Sequence, residues 1–127
     1  MDITPSDNPD DLRDDDELYR RFLPVKKKNV VPLTAFTKPR TSDPDPEISV
    51  DLARETTPDK VLAAGAPTHF KLGVLRVGAI RELGFTVRRD PTPDNPAHCI
   101  IEGLRTESDC DRLAEQTTIY MPPAQQP

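Results

Sequence analysis

Apolar and polar residues alternate in several stretches of the chain, with the period of two that is typical of half-buried β-strands. The clearest stretches are Ile48–Leu52 and residues 85–89, and residues 70–77 follow the pattern less strictly. An apolar run at residues 97–102 predicts a well-buried strand. The segment 90–96 is rich in proline and aspartate, which favours a turn. We therefore expect the strands on either side of this segment to form an antiparallel hairpin.

Three other stretches have the helical period and helical end signals. Thr57 is a suitable N-cap with Pro58 at the first helical position, and residues 79–83 predict a second, short helix. The third helix is expected to begin after Thr106, with Asp109 in the capping-box position. Its apolar residues recur at i, i+3, i+4 and i+7, at Cys110, Leu113, Ala114 and Thr117.

The N-terminal part of the chain is predicted to begin with a short helix. Asp14 can cap it with Glu17 in the third position, and the helix would end before Pro24. Its apolar face would consist of Leu18, Tyr19 and Phe22. Two short strands are expected next: an edge strand at 29–33, limited by its proline, and a continuation or second strand at 34–38.

These elements predict an α+β fold, a small, mostly antiparallel sheet with short helices on one face. Only 35% of the 127 residues are hydrophobic and 15 are prolines, and the apolar residues are concentrated in the middle of the chain. We therefore expect a disordered lead-in at residues 1–12, one domain at 13–120 with its core at about 29–118, and a flexible tail at 121–127.

Composition and charge restrict the functional class. The chain has no apolar run long enough to span a membrane, no features of a secretory signal and only two cysteines, which together favour the cytoplasm. Residues 1–20 carry eight acids and two bases, whereas residues 21–40 carry six bases and no acid. The net charge of −5 disfavours a dedicated nucleic-acid binder. The basic segment at 26–40 leaves nucleic acid as a weaker alternative.

One local motif could carry chemistry. The turn at 94–98 delivers His98 to the start of a strand, where an imidazole could act as a general acid or base. Ser49 and Asp51 share a strand face and could make a hydrolytic set with His98, although a mid-strand serine lacks the strained turn and oxyanion hole that such a set needs. The alternative is structural: a turn set by Asn95, a histidine bonded to a loop, and an ordinary polar strand face.

Cationic side chains supply candidates for ligand binding. Lys38, Arg40 and Arg88, together with Asn95, could bind an anionic group, or the cations could be solvated surface charges. The acidic segment at 14–17 could also fold over the basic segment and neutralise it. No metal-ligand spacing and no nucleotide-binding motif occurs, so we expect no metal and no cofactor.

Three short motifs follow one another along the chain, at residues 34–38 (TAFTK), 49–51 (SVD) and 90–98 (DPTPDNPAH). In this order they resemble motifs shared by a group of short bacterial proteins of uncharacterised function, over residues 30–115. In that group the first motif reads AFK, whereas here Thr37 is inserted before the lysine, which weakens any role for Lys38. The resemblance implies that the three motifs meet in space and that the protein is bacterial and cytoplasmic. It implies no activity, cofactor or catalytic residue.

The sequence thus predicts a small cytoplasmic accessory protein, without catalytic activity, that binds a protein partner through its N-terminal helix or its basic segment. The alternative is a small hydrolase or nuclease-like enzyme that uses His98 with Asp51 and a basic phosphate site.

Overall fold

The structure, a computed structural model, describes residues 12–24, 30–38, 41, 43–64 and 70–121. Within these residues, six strands form one sheet: β1 (Glu17–Phe22), β2 (Ile48–Leu52), β3 (Lys71–Arg76), β4 (Thr86–Arg89), β5 (His98–Glu102) and β6 (Thr118–Ile119). Their spatial order is β4-β5-β2-β1-β3-β6, and every neighbouring pair is antiparallel. The same residues form three α-helices, α1 (Pro58–Ala64), α2 (Val77–Glu82) and α3 (Glu107–Glu115), and two 3₁₀ helices, Leu33–Phe36 and Ala53–Glu55. The predicted α+β class is confirmed.

The main hydrophobic core lies on one face of the sheet. In β2 the side chains of Ile48, Val50 and Leu52 are buried, as their alternation predicts. The register of β2 and β5 places Ile48 opposite Ile101, so the two strands contribute to the same core. Helices α2 and α3 and the first 3₁₀ helix cover this face with side chains that include Ile80, Leu113 and Phe36.

The ends of the helices follow the predicted signals. The Thr106 hydroxyl accepts a hydrogen bond from the Asp109 N–H, and the Asp109 carboxylate accepts one from the Thr106 N–H, which completes the capping box of α3. The Thr57 hydroxyl accepts from the Lys60 N–H at 3.2 Å and caps α1. After α2, Gly84 has φ +91°, a left-handed conformation that suits glycine.

The prediction of an N-terminal helix is wrong, because that segment is strand β1 between β2 and β3 in the sheet. The acids expected to cap a helix form a turn, in which the Asp16 carboxylate accepts from the Arg13 N–H at 2.8 Å. Leu18 and Phe22 are buried. Their spacing of four residues fits either one face of a helix or alternate positions of a strand. The segment is a strand because β1 pairs with β2 on one side and with β3 on the other. Arg20 lies between Leu18 and Phe22 on the same face of this strand.

The prediction of strands within residues 29–38 is wrong for residues 30–38, the part that the structure describes. Leu33–Phe36 is a 3₁₀ helix that follows Pro32. A proline nitrogen cannot donate a hydrogen bond to a neighbouring strand. Phe36 is fully buried, and its carbonyl accepts from the Cys110 thiol at 3.4 Å, so this short helix packs on α3.

The core reaches closer to the N-terminus than the predicted span of about 29–118, since β1 belongs to it and Leu12 packs against it. The rest of the expected lead-in at 1–12 and the tail beyond Met121 lie outside the described residues. In the part of the chain that is described, no helix is long and apolar enough to cross a membrane.

Candidate functional site

A row of polar side chains runs across the sheet face opposite the main core. The register places His98 of β5 opposite Asp51 of β2, and Asp51 opposite Tyr19 of β1. Asp90, which follows β4 directly, continues the row, because its N–H donates to the His98 carbonyl at 2.9 Å. Opposed residues of an antiparallel pair have Cβ atoms about 5 Å apart. His98 and Asp51, the predicted catalytic pair, therefore lie side by side in this polar row.

His98 is held by Asp90 and not by Asp51. Its Nδ1 lies 3.0 Å from the Asp90 carboxylate and 3.0 Å from the Asp90 carbonyl oxygen. Both neighbours are acceptors, which assigns the proton to Nδ1. The Nε2 atom makes no hydrogen bond with any described residue. The side chain is 20% exposed, so the arrangement resembles a carboxylate–histidine pair with one ring nitrogen open.

The Asp51 carboxylate is engaged by the turn that follows β4. The Asn95 side-chain Nδ2 donates to it at 2.6 Å, and the Asn95 side-chain Oδ1 accepts from the Ala97 N–H at 3.2 Å. The Asn95 N–H also donates to the Thr92 hydroxyl at 3.0 Å. Asn95 therefore fastens its turn to β2, which agrees with the structural interpretation of this motif.

Ser49 shares the face of Asp51 but stands two residues away in the interior of β2 with an exposed side chain. Its hydroxyl makes no hydrogen bond with Asp51 or His98 among the described contacts. A regular strand supplies neither a strained turn nor converging backbone donors. The arrangement therefore lacks the parts that activate a serine nucleophile.

Arg88 is surrounded by carboxylates. Its Nε donates to Glu102 at 2.8 Å, and its two terminal nitrogens lie 3.3 Å from Glu47 and 3.6 Å from Asp90. The hydrogen bond with Glu102 raises the pKa of the guanidinium, and the charges of Asp90 and Glu47 add to this effect. Arg88 thus joins β4, β5 and the residue before β2, and it has little capacity left for a ligand.

Neither cysteine is suited to nucleophilic chemistry. Cys99 and Cys110 are unpaired and completely buried in the core. Burial raises the pKa of each thiol to about 11. Since the thiolate is the reactive form, both side chains are inert packing groups at neutral pH.

A second region, which we call the Arg20 groove, lies between β1 and the first 3₁₀ helix. It encloses about 720 Å³, within the usual size of ligand pockets. Among the described residues, its lining contains three basic ones, Arg20, Arg21 and Lys38, and no acidic one. Leu23 and Phe70 add apolar surface.

Arg20 is the central residue of this groove. It projects from β1 on the core side of the sheet, where its Nε donates to the Ala35 carbonyl and its Nη1 donates to the Ser49 carbonyl, both at 2.9 Å. No carboxylate of the described residues forms an ion pair with it, although Asp45 attracts it over a longer distance. Burial lowers the pKa of the guanidinium, which nevertheless stays charged at neutral pH. Its orientation is therefore set by backbone carbonyls, and its charge is not matched by a close counter-ion.

The other predicted cations are only partly placed. Lys38 lines the Arg20 groove with an exposed side chain. Arg40 and the lysines at 26–28 lie outside the described residues. The predicted ligand set of Lys38, Arg40, Arg88 and Asn95 is not brought together, because Lys38 lies in the groove whereas Arg88 and Asn95 belong to the polar row and its turn.

Two sets of hydrogen bonds connect the three sequence motifs. Its guanidinium bridges Ala35 of the first motif and Ser49 of the second. Asp51 of the second motif accepts from Asn95 of the third. The three motifs thus meet around β2, with their side chains or carbonyls in direct contact.

Comparison with protein-family models, with curated proteins and with solved structures finds no match to this chain. Among the residues that the structure describes, no group of three or more histidine, cysteine, aspartate and glutamate side chains could hold a metal ion.

Sequence reasoning missed two residues that organise these regions. Asp90 takes the role expected of Asp51, and its signal is its position in the hairpin, directly opposite His98. Arg20 was not identified as a site residue because its segment was interpreted as a helix. Its signal is the order Leu18, Arg20, Phe22, which places a charge on an otherwise apolar strand face.

Proposed function

We propose that the protein is a non-enzymatic binding protein that receives an acidic segment of a protein partner in the Arg20 groove. One observation carries this proposal: a fixed guanidinium without a close counter-ion lines a groove that contains basic but no acidic residues. Burying such a charge is costly unless an anion accompanies it. An acidic partner segment would supply that anion.

The hydrogen bonds of the polar row support a binding function over a catalytic one. Asp51, His98 and Arg88, the residues with the most suitable chemistry, are each hydrogen-bonded to a neighbouring turn or strand. A structural role, in which these bonds hold turns and strands together, is enough to explain the three residues. The proposed partner site is therefore the groove, to which the segment expected as a docking helix contributes Arg20 and Arg21 as strand β1.

The test is affinity capture from a host lysate with the tagged full-length chain, its Lys38→Gln variant and a Lys60→Gln control. Lys60 lines a separate groove beside Asp51, so its loss removes the same charge elsewhere. We expect a nuclease-resistant protein that wild type and the control retain and that Lys38→Gln loses. Equal capture by all three proteins, or capture of nucleic acid alone, would contradict the proposal.

A small hydrolase is the second candidate, and it rests on the open Nε2 of His98. The Asp90 carboxylate orients the ring in the manner of a general-base pair. We expect any such activity to appear against p-nitrophenyl acetate or p-nitrophenyl phosphate and to disappear in His98→Ala. Turnover that His98→Ala retains would remove this candidate.

A reducing cytoplasm, in a bacterium, remains the proposed location. Two buried thiols that form no disulfide are compatible with a reducing compartment. Fractionation of host cells would test it, with recovery in a membrane or secreted fraction as the contradicting result.

A further inference from the structure

We infer that the group bound by Arg20 is a carboxylate carried beside a bulky apolar side chain, as at the carboxyl end of a polypeptide that finishes in an apolar residue. The inference rests on the proposed function of the Arg20 groove as the docking site and specifies what the groove recognises. Three features of the groove lead to it: the unused donors of the guanidinium, the direction of the neighbouring hydroxyls, and the exposed apolar rim.

The terminal nitrogens of Arg20 carry donors that no described residue uses. A guanidinium has five N–H donors in a rigid planar fork. The Nε–H and one Nη1–H point to the Ala35 and Ser49 carbonyls. The remaining donors, on Nη1 and Nη2, have no partner among the described residues. Two adjacent coplanar donors match the two oxygens of a carboxylate in a bidentate pair.

Two of the hydroxyls that line the groove, those of Thr37 and Thr41, are directed away from a ligand. The Thr37 hydroxyl donates to the Thr34 carbonyl at 3.3 Å, and the Thr41 hydroxyl donates to the Lys38 carbonyl at 3.1 Å. A phosphate monoester presents three terminal oxygens and up to two charges. The other cations of the described lining are the exposed Lys38 ammonium and the Arg21 guanidinium, which already donates to the Val61 carbonyl at 3.3 Å. The donor arrangement therefore favours a planar carboxylate over a phosphate.

The rim of the groove is apolar. Leu23 is 53% exposed, which makes it one of the few large hydrophobic side chains of the described residues that face solvent. It lines the groove together with Phe70. Removing such apolar surface from water favours association. A ligand that places an apolar side chain next to its carboxylate would satisfy the rim and the guanidinium together.

Fluorescence anisotropy with labelled peptides and the full-length chain tests this inference. The probes share one body and end in phenylalanine with a free carboxylate, in phenylalanine amide, in glutamate followed by phenylalanine amide, or in phosphoserine followed by phenylalanine amide. We expect the free carboxylate to bind at least tenfold more tightly than the simple amide and the phosphoserine peptide. Binding of the glutamate peptide equal to that of the free carboxylate would make an internal carboxylate the source. Equal binding of the simple amide, or tighter binding of the phosphoserine peptide, would overturn the inference.

Variants locate the binding. Arg20→Lys keeps the charge but loses the planar fork, and we expect the free-carboxylate peptide to bind it at least tenfold more weakly. Leu23→Ser changes a side chain that is 53% exposed, and we expect this variant to fold, so a several-fold loss there remains informative if Arg20→Lys fails to fold. Lys60→Gln should bind as wild type does. Unchanged affinity in both groove variants would overturn the inference.

The two proposals can fail separately. If the captured partner is lost from Lys38→Gln but no carboxylate peptide binds preferentially, the docking function stands and the carboxylate inference is wrong. If the free-carboxylate peptide binds through Arg20 while capture is equal for all variants, the groove recognises carboxylates without serving as the partner site.

Discussion

The polar row and the Arg20 groove both contain charged side chains, but these side chains have different kinds of bonding partner. In the polar row, Asp51 is bonded to Asn95, His98 to Asp90 and Arg88 to three carboxylates. In the groove, Arg20 is bonded only to backbone carbonyls. A charge that has its counter-ion stabilises the fold, whereas one that has none can receive a ligand. The residues with the more reactive chemistry are thus the ones that are already bonded to side chains of the fold.

The largest expected effect comes from truncating Phe36, the core side chain of the 3₁₀ helix that borders the groove. Phe36 is fully buried against α3 and the sheet. Phe36→Ala should lower the free energy of unfolding by about 3–5 kcal/mol, measured by urea denaturation, and should abolish peptide binding. Thr34→Ala, at an exposed position of the same 3₁₀ helix, is the control and should change stability by less than about 0.5 kcal/mol. A small effect of Phe36→Ala would show that the groove does not depend on the core.

Breaking a bond of the polar row should affect stability and leave binding intact. Asn95→Ala removes the donor to the half-buried Asp51 carboxylate and releases the turn before β5. We expect a loss of about 1–3 kcal/mol in the free energy of unfolding, with unchanged affinity for the free-carboxylate peptide. The neighbouring Asp94→Ala, at an exposed site, should leave both quantities near wild type. Weaker peptide binding in Asn95→Ala would contradict the separation of the two regions.

Asp109 provides a prediction for pH. The Arg105 N–H lowers the pKa of its carboxyl, with further help from the Thr106 N–H and the Arg112 charge. A folded-state pKa below the unfolded value of about 3.9 stabilises the protein above that pH. This contribution is lost as the pH falls through the folded-state pKa. Asp109→Ala should therefore show a shallower loss of stability below about pH 4 than wild type, measured by thermal unfolding, whereas Asp111→Ala on the exposed side of α3 should not.

The smallest expected stability effect is that of Lys38→Gln. Lys38 is exposed and makes no ion pair with the described residues. Its replacement should change the free energy of unfolding by less than about 0.5 kcal/mol, while it weakens partner capture. A clear loss of stability would mean that this lysine is a structural charge like Arg88.

Much of the fold could be predicted from local signals, because several elements are indicated by patterns that span only a few residues. The alternation in Ile48–Leu52, the N-cap at Thr57 and the capping box of Thr106 and Asp109 each reflect short-range geometry. Strand β1 could not be recognised in this way. Its apolar spacing fits two periods, and only its pairing with β2 and β3, which come later in the chain, selects the strand.

The candidate site shows the same limit. The sequence predicted that Asp51 and His98 could act together, and the register places them opposite each other on neighbouring strands. It did not identify Asp90 and Asn95 as the groups that engage them, because a rigid turn, and not a strand period, determines where those side chains reach. The candidate binding role of Arg20 could not be predicted, because it depends on which side chains lie near the guanidinium in the folded protein.

The most direct test of the difference between the two regions is ¹⁵N NMR of the arginine side chains during titration with the free-carboxylate peptide. We expect the Arg20 resonances to shift saturably while those of Arg88, which is already paired with Glu102, remain in place. The phenylalanine-amide peptide serves as the blank. A shift at Arg88, or none at Arg20, would contradict the assignment of the groove as the binding site.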